Sequence, residues 1–425
     1  MGLRLAIGML YSWQFVHSLC MAFYMVINDI ITVKVPPSWV WVKVTTDEGL
    51  TGWGEAYLEC HGDTVIAEVE RIKPYLIGKD PTAVEQRWQD MYASGTGYVG
   101  GPVKMSAISG IDMALWDIKG KAANQPIYRL LGGPTREGVT MYHSYVTGEP
   151  RFVEPGDPYR ARYKDSPRRL PSQMTREERL EGVAAGGRGY MSLGYHCLKM
   201  HVGISRDFTG QSAVDMIAEN VATARAAMGA DALLAIDVHN PQPMMALKLA
   251  QKIEPYNLLF MEEPVSVERI EDLALVAGRT TIPIAAGERW MGKWDFHRAL
   301  DAGARVLQPD IAHAGGITEL KKIAAVAECY GAYMAPHCPL SILSMAASFQ
   351  LAMGIPNFLV QEHNEVNDYL LDGKIVYGYG FLKTPFTLEA DGMVYVSEAP
   401  GLGIDIDEES LREIMRKKEW TVARG

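Results

Sequence analysis

Asp237, Glu262 and Glu288 each close a short apolar run, and the three positions are almost evenly spaced along the chain. Their interval is that of one strand-plus-helix unit, so the spacing predicts three carboxylates converging from adjacent strand ends. Left alone, they would repel one another. As hard oxygen donors they suit Mg2+, which keeps positions open for water and an anionic substrate. Taken singly, each could instead cap a helix or pair with a nearby Lys or Arg. Asp310 and His337 repeat the interval and could form a carboxylate-oriented histidine, the Asp fixing the tautomer and raising the basicity of the ring. His239 follows Asp237 by two residues, which in a strand points both side chains to one face. Lys199 and His201 end another run, and Glu362 ends the last, where it could serve as a neutral or ionised hydrogen-bond partner of a substrate.

The elements that must hold these residues recur in a regular rhythm. Eight short apolar runs (VTMYHSY, CLKMHVG, LLAIDVHN, LLFMEEP, IPIAAGE, RVLQPD, AYMAPHCP and FLVQEHN) alternate with helical patterns such as QSAVDMIAENVATARAAMG and GITELKKIAAVAECYG. Alternating units of this kind build a parallel sheet, and eight of them in about 220 residues have the size of a (β/α)8 barrel, a closed sheet with its site where the strands end. Ahead of them, VKVPPSWVWVKVTTDEGLTGWGE alternates about a DEG turn and reads as an antiparallel hairpin sheet, followed by helical patterns that close at LLGG. The predicted organisation is an extension over 1–25, an α+β capping domain over 26–137, the barrel over 138–365, and a hairpin-like segment over 366–425 that returns to the capping domain. Between the first two runs, a stretch from Gly148 to about Leu180, rich in Pro, Gly and charge, reads as a long loop or lid.

Composition narrows the partners. The formal net charge of −10 leaves no sequence-wide basic field for nucleic acid or an anionic membrane surface, so any anionic substrate must be met locally. Five cysteines, widely spaced and without a C-x-x-C pair, argue against a disulfide framework or a zinc site and fit a reducing, cytoplasmic compartment. The apolar start, MGLRLAIGMLYSWQFVHSLCMAFYM, is interrupted by Ser12, Trp13, Gln14 and His17 and falls short of the roughly 18–20 apolar residues of a span. It reads as a surface-packing extension, or as sequence upstream of a later start at Met25, ahead of a secretion leader.

The motifs TDEGLTGWGE, GPVKMSAISGIDMALWDIKGKA, LLGG, EEP, AAGER, LQPDIAHAGGITE, APHCPL and PGLGIDIDE resemble the mandelate racemase subgroup of the enolase superfamily over roughly residues 30–410. Within it the chain resembles the galactonate dehydratase family and, less closely, the mannonate and gluconate dehydratases. The resemblance implies an enolase-like modified barrel, one Mg2+ on Asp237, Glu262 and Glu288, a base dyad of His337 and Asp310, an electrophilic Glu362, and His239 as the acid that protonates the departing 3-hydroxyl. It also implies the reaction: dehydration of an aldonate to a 2-keto-3-deoxy acid through a metal-stabilised enediolate, the mechanism general to the superfamily. D-galactonate stands first as substrate, with D-gluconate or D-mannonate next. Lys199 and His201 join the catalytic group. His201 stands in LKMHVG where related dehydratases carry Lys or Asn, at a position that is a base in racemases, so a racemase or epimerase using His201 with His337 is the alternative. A non-catalytic sugar-acid binder would not need the whole constellation. The expected partners are a small-molecule aldonate and further copies of the chain, in a homo-oligomer between dimer and octamer, with neither nucleic acid nor membrane.

Overall fold

Residues 25–145, 174–202, 211–239, 241–363 and 368–421 are described by the computed structural model. The expected N-terminal extension and most of the expected lid lie outside them. Strands β1 (Ile27–Val35), β2 (Trp39–Thr46) and β3 (Thr51–Glu55) form an antiparallel sheet in that order. The DEG turn joins β2 to β3, with Thr46 N–H donating to Leu50 O at 3.0 Å and Gly49 at φ +84°. Helices α1 (Gly62–Ile72), α2 (Val84–Ala93) and α3 (Pro102–Ala122) follow. Helix α3 is buried on nearly every side because it runs directly along β3: a Cβ at Gly52 or Gly54 would stand 2.0 Å from the carbonyl oxygens of Ala114 and Gly110. Only glycine permits that approach, which explains the two glycines of TGWGE.

All eight apolar runs form strands: β4 (Val139–Tyr145), β5 (Cys197–His201), β6 (Leu233–Asp237), β7 (Met261–Glu262), β8 (Ile284–Ala286), β9 (Val306–Leu307), β10 (Tyr333–Met334) and β11 (Gln361–His363). They pair in parallel in the order β11-β4-β5-β6-β7-β8-β9-β10. The ring closes where Met334 N–H donates to Asn357 O and Leu359 N–H donates to Met334 O, both at 2.8 Å. Between consecutive strands lie α4 (Arg176–Ser192), α5 (Gln211–Met228), α6 (Pro243–Ile253), α7 (Leu273–Ala277), α8 (Gly292–Asp301), α9 (Gly316–Cys329) and α10 (Ile342–Gly354). A capping box of Thr175 and Glu178 starts α4. Among the described residues no helix stands between β11 and the strands that follow it, so the barrel is of the modified kind expected. Its lumen is a packed layer in which Tyr142, Phe260, Val306 and Val360 combine with Ala235, Ala285, Ala335 and Cys197, the large side chains filling what the small ones leave.

The chain then forms β12 (Asp368–Leu371), β13 (Lys374–Tyr377) and β14 (Phe386–Thr387), a small antiparallel sheet. Strand β15 (Met393–Val394) joins the start of β4. Helix α11 (Glu408–Lys417) lies on the N-terminal sheet, where Glu408 pairs with Lys43 at 3.0 Å, and Trp420 donates to Trp39 O at 3.0 Å. Among the described residues no helix is long and apolar enough to cross a membrane.

Candidate active site

The parallel register aligns His201 with Asp237 and Asp237 with Glu262 across β5, β6 and β7, so three polar groups form one row at the carboxyl ends of three strands. Glu288 extends the row from just beyond β8. Gly287, at φ +146°, turns the chain there, where a Cβ would meet Phe296 at 2.6 Å. Asp310, His337 and Glu362 complete the circle after β9, after β10 and within β11. All the residues predicted from the sequence meet at this one mouth.

Lys199 is its electrostatic hub. Buried on β5, its Nζ lies 2.7 Å from Glu262, 2.8 Å from Glu362 and 3.9 Å from Asp237. Burial works against the charge of Lys199, but Glu262 and Glu362 outweigh it and hold its pKa well above the ordinary value. Burial also opposes the charge on Glu362, yet Lys199, His337 and the Ser144 hydroxyl at 2.9 Å hold that carboxyl down to about 2. Glu362 is therefore ionised, not neutral. Glu262 goes the other way: burial raises it against the lowering by Lys199, and Asp237, Glu362 and Glu288 add to the rise.

The histidines have separate partners. His337 Nδ1 lies 2.7 Å from Asp310 Oδ2, while its Nε2 faces Glu288 at 3.6 Å. Burial disfavours the imidazolium, but Glu288, the Asp310 bond and Glu362 outweigh it and hold the pKa of His337 well above the usual value. His239 Nδ1 lies 2.9 Å from Asp237 Oδ1. The sequence places this pair on one face of a strand, but β6 ends at Asp237. His239 lies beyond it in the left-handed region at φ +49°, and that turn, not strand alternation, swings the ring back onto its carboxylate. His201 Nε2 approaches Asp237 Oδ2 at 3.2 Å, and its ring centroid is 4.7 Å from that of His239.

Four further residues belong to the site. Arg289 pairs with Glu263 and, at 2.7 Å, with Glu288, Gln308 donates to Glu262 at 2.7 Å, Ser144 supports Glu362, and His313 lies 3.3 Å from Glu59 on the capping-domain loop. Register could have found Ser144, which pairs with Lys199 across β4 and β5, and the step of two before Asp310 points to Gln308.

Six carboxylates (Asp237, Glu262, Glu263, Glu288, Asp310 and Glu362) face two fixed cations, Lys199 and Arg289, and such a surplus suits a bound metal ion. Asp237 Oδ2 and Glu262 Oε1 are buried without a hydrogen-bond partner, the state of oxygens awaiting a cation. Among the described residues, donor atoms gather within 4.8 Å of one another in His201/Asp237/His239 and in His239/Glu263/Glu288. The expected trio Asp237, Glu262 and Glu288 occupies three consecutive strand ends but is not among these tight groups, because Lys199 and Gln308 draw on Glu262 while Arg289 draws on Glu288.

The chain is similar to known proteins in sequence and in fold. Residues 28–132 match the family model described as mandelate racemase / muconate lactonizing enzyme, N-terminal domain, and residues 182–410 match that described as enolase C-terminal domain-like. A D-galactonate dehydratase of Ralstonia pickettii (strain 12J) is 40% identical over 398 residues, covering 93% of this chain and 95% of the relative. One of Pectobacterium atrosepticum is 38% identical over 395 residues, 92% of this chain and 94% of the relative. The crystal structure of a member of the enolase superfamily from Salmonella Typhimurium aligns with a TM-score of 0.79 at 29% identity, covering 92% of this chain and 98% of that one. A mandelate racemase/muconate lactonizing enzyme from Sulfitobacter sp. aligns with a TM-score of 0.76 at 30% identity, covering 92% and 95%.

Proposed function

The chain belongs to the mandelate racemase subgroup of the enolase superfamily, and on that premise we propose that it is a hydro-lyase that dehydrates a sugar acid to a 2-keto-3-deoxy acid. D-galactonate is the first substrate, with D-gluconate and D-mannonate next. One observation carries the reading: two histidines with separate carboxylate partners flank Glu288, so the site holds two independent proton-transfer groups at one mouth.

One Mg2+ would be held by Asp237, Glu262 and Glu288 and would supply positive charge beside the substrate carboxylate, acidifying the C2 proton and offsetting the carboxylates that raise the pKa of His337. Asp310 fixes His337 by its Nδ1 and leaves Nε2 to remove the C2 proton, giving the enediolate. Asp237 fixes His239 in the same way and leaves its Nε2 to protonate the 3-hydroxyl as it departs as water. The resulting enol tautomerises to the keto acid. Lys199 and ionised Glu362 line the site as a fixed ion pair, not as a carboxylic acid. Screening a library of aldonates with Mg2+ for 2-keto-3-deoxy acid tests the reading. A product from one or a few aldonates, abolished by chelator and restored by Mg2+, is expected. Exchange of the C2 proton without keto acid would make the protein a racemase or epimerase instead.

A further inference from the structure

We infer that His201, Asp237 and His239 form a second metal site, one that takes a borderline transition metal, with Zn2+ the ion it fits best. Two imidazoles and one carboxylate are a nitrogen-rich set, and imidazole selects zinc-like ions where oxygen sets select Mg2+. The geometry agrees. Tetrahedral bonds of about 2.0–2.1 Å place neighbouring donors about 3.3 Å apart. His201 Nε2 and Asp237 Oδ2 lie 3.2 Å apart and His239 Nδ1 and Asp237 Oδ1 2.9 Å apart, so the two imidazoles meet the two oxygens of one carboxylate, and one donor atom from each of the three residues falls within 4.8 Å of the others. Asp237 is 1% exposed, and its Oδ2, on the His201 side, accepts no hydrogen bond. The two histidines are about one-third exposed, so an ion has a path in and a fourth position open to water. The site depends on His201. Without it, the second imidazole donor would be missing.

Asp237 serves both sites, and His239 cannot transfer a proton while it ligates a metal. Zinc bound here therefore inhibits dehydration, a consequence that rests on the dehydratase reading, whereas the binding itself does not. The probe is Co2+, added to the full chain at pH 8 in excess Mg2+, since imidazole ligands bind as free bases. The expected result is the visible ligand-field spectrum of four-coordinate Co2+ at one equivalent, displaced by Zn2+. His201→Asn and His239→Asn should each lose that spectrum and weaken Co2+ binding more than tenfold, since even residues behind a metal's ligands cost 10–100-fold when lost. Glu288→Gln should keep the spectrum while weakening Mg2+. Cooperative melting of each variant shows that it is folded, and either histidine variant alone decides the matter. A six-coordinate spectrum only, or one unchanged by both histidine substitutions, would overturn the site. A native chain that shows the spectrum, loses it on either histidine substitution and yet dehydrates no aldonate would leave the site standing and remove only the dehydratase reading.

Discussion

Lys199→Met removes the charge at the centre of the carboxylate cluster with little change in volume, so the effect of packing is small. Lys199 is 1% exposed, with Glu262 at 2.7 Å, Glu362 at 2.8 Å and Asp237 at 3.9 Å, all at 5% exposure or less. None of these groups can turn to water when the ammonium is lost. Removing one partner of a buried ion pair costs about 3–5 kcal/mol because the remaining charge is left uncompensated. At roughly 2 °C per kcal/mol for a chain of this size, that lowers the melting temperature by ~6–10 °C. The deficit has a pH signature. Loss of the lysine raises the folded-state pKa values of its carboxylates above their unfolded values, and a group so raised gives stability at low pH that is lost as pH rises. Lys199→Met should therefore be closer to the native chain at pH 5 than at pH 8, and closer with Mg2+ than without. Calorimetric melts at the two pH values decide it. A variant as stable as the native chain at pH 8 without metal would refute the role of Lys199 as the countercharge of these buried carboxyl groups.

Glu55, buried beneath Ser341 and Ser344, which donate to it at 2.7 and 2.6 Å, is pushed by burial up to about 7 from 4.5. Its contribution is fully present below pH 4.5 and lost as pH rises through 7, a change of about 3 kcal/mol, and Glu55→Gln should shrink the fall in denaturant midpoint between pH 5 and pH 8. Gly52→Ala, whose Cβ would stand 2.0 Å from Ala114 O, should separate β3 from α3 and lower the melting temperature by at least as much as Lys199→Met. Mg2+ titrated into metal-free protein should raise the melting temperature, as any ligand of the native state does, and Asp237→Asn should abolish that rise while leaving a cooperative melt.

Much of this was legible in the sequence because a parallel barrel converts spacing into position. The near-constant interval of one strand-plus-helix unit placed Asp237, Glu262, Glu288, Asp310 and His337 on successive strand ends, and the fold keeps them there. Partnerships across units were less legible. Arg289 adjoins Glu288 in sequence, but its bond to Glu263 depends on how two loops face each other, and nothing in AAGER specifies it. Glu362 reads as neutral or ionised until Lys199 is seen 2.8 Å away, since burial and ion pairing pull a carboxyl in opposite directions and only distance decides between them. The orientation of His239 depends on one left-handed residue past a strand end, a local turn that strand alternation cannot foresee.

The central claim is that His337 and His239 act on different steps, and C2 hydrogen exchange measured beside dehydration, with D-galactonate in D2O, tests it most directly. His337→Asn should stop both, because both begin with loss of the C2 proton. His239→Asn should keep exchange while dehydration falls by the roughly 10²–10⁴-fold typical of a positioned proton donor. Undiminished dehydration by His239→Asn, or C2 exchange surviving in His337→Asn, would contradict the account.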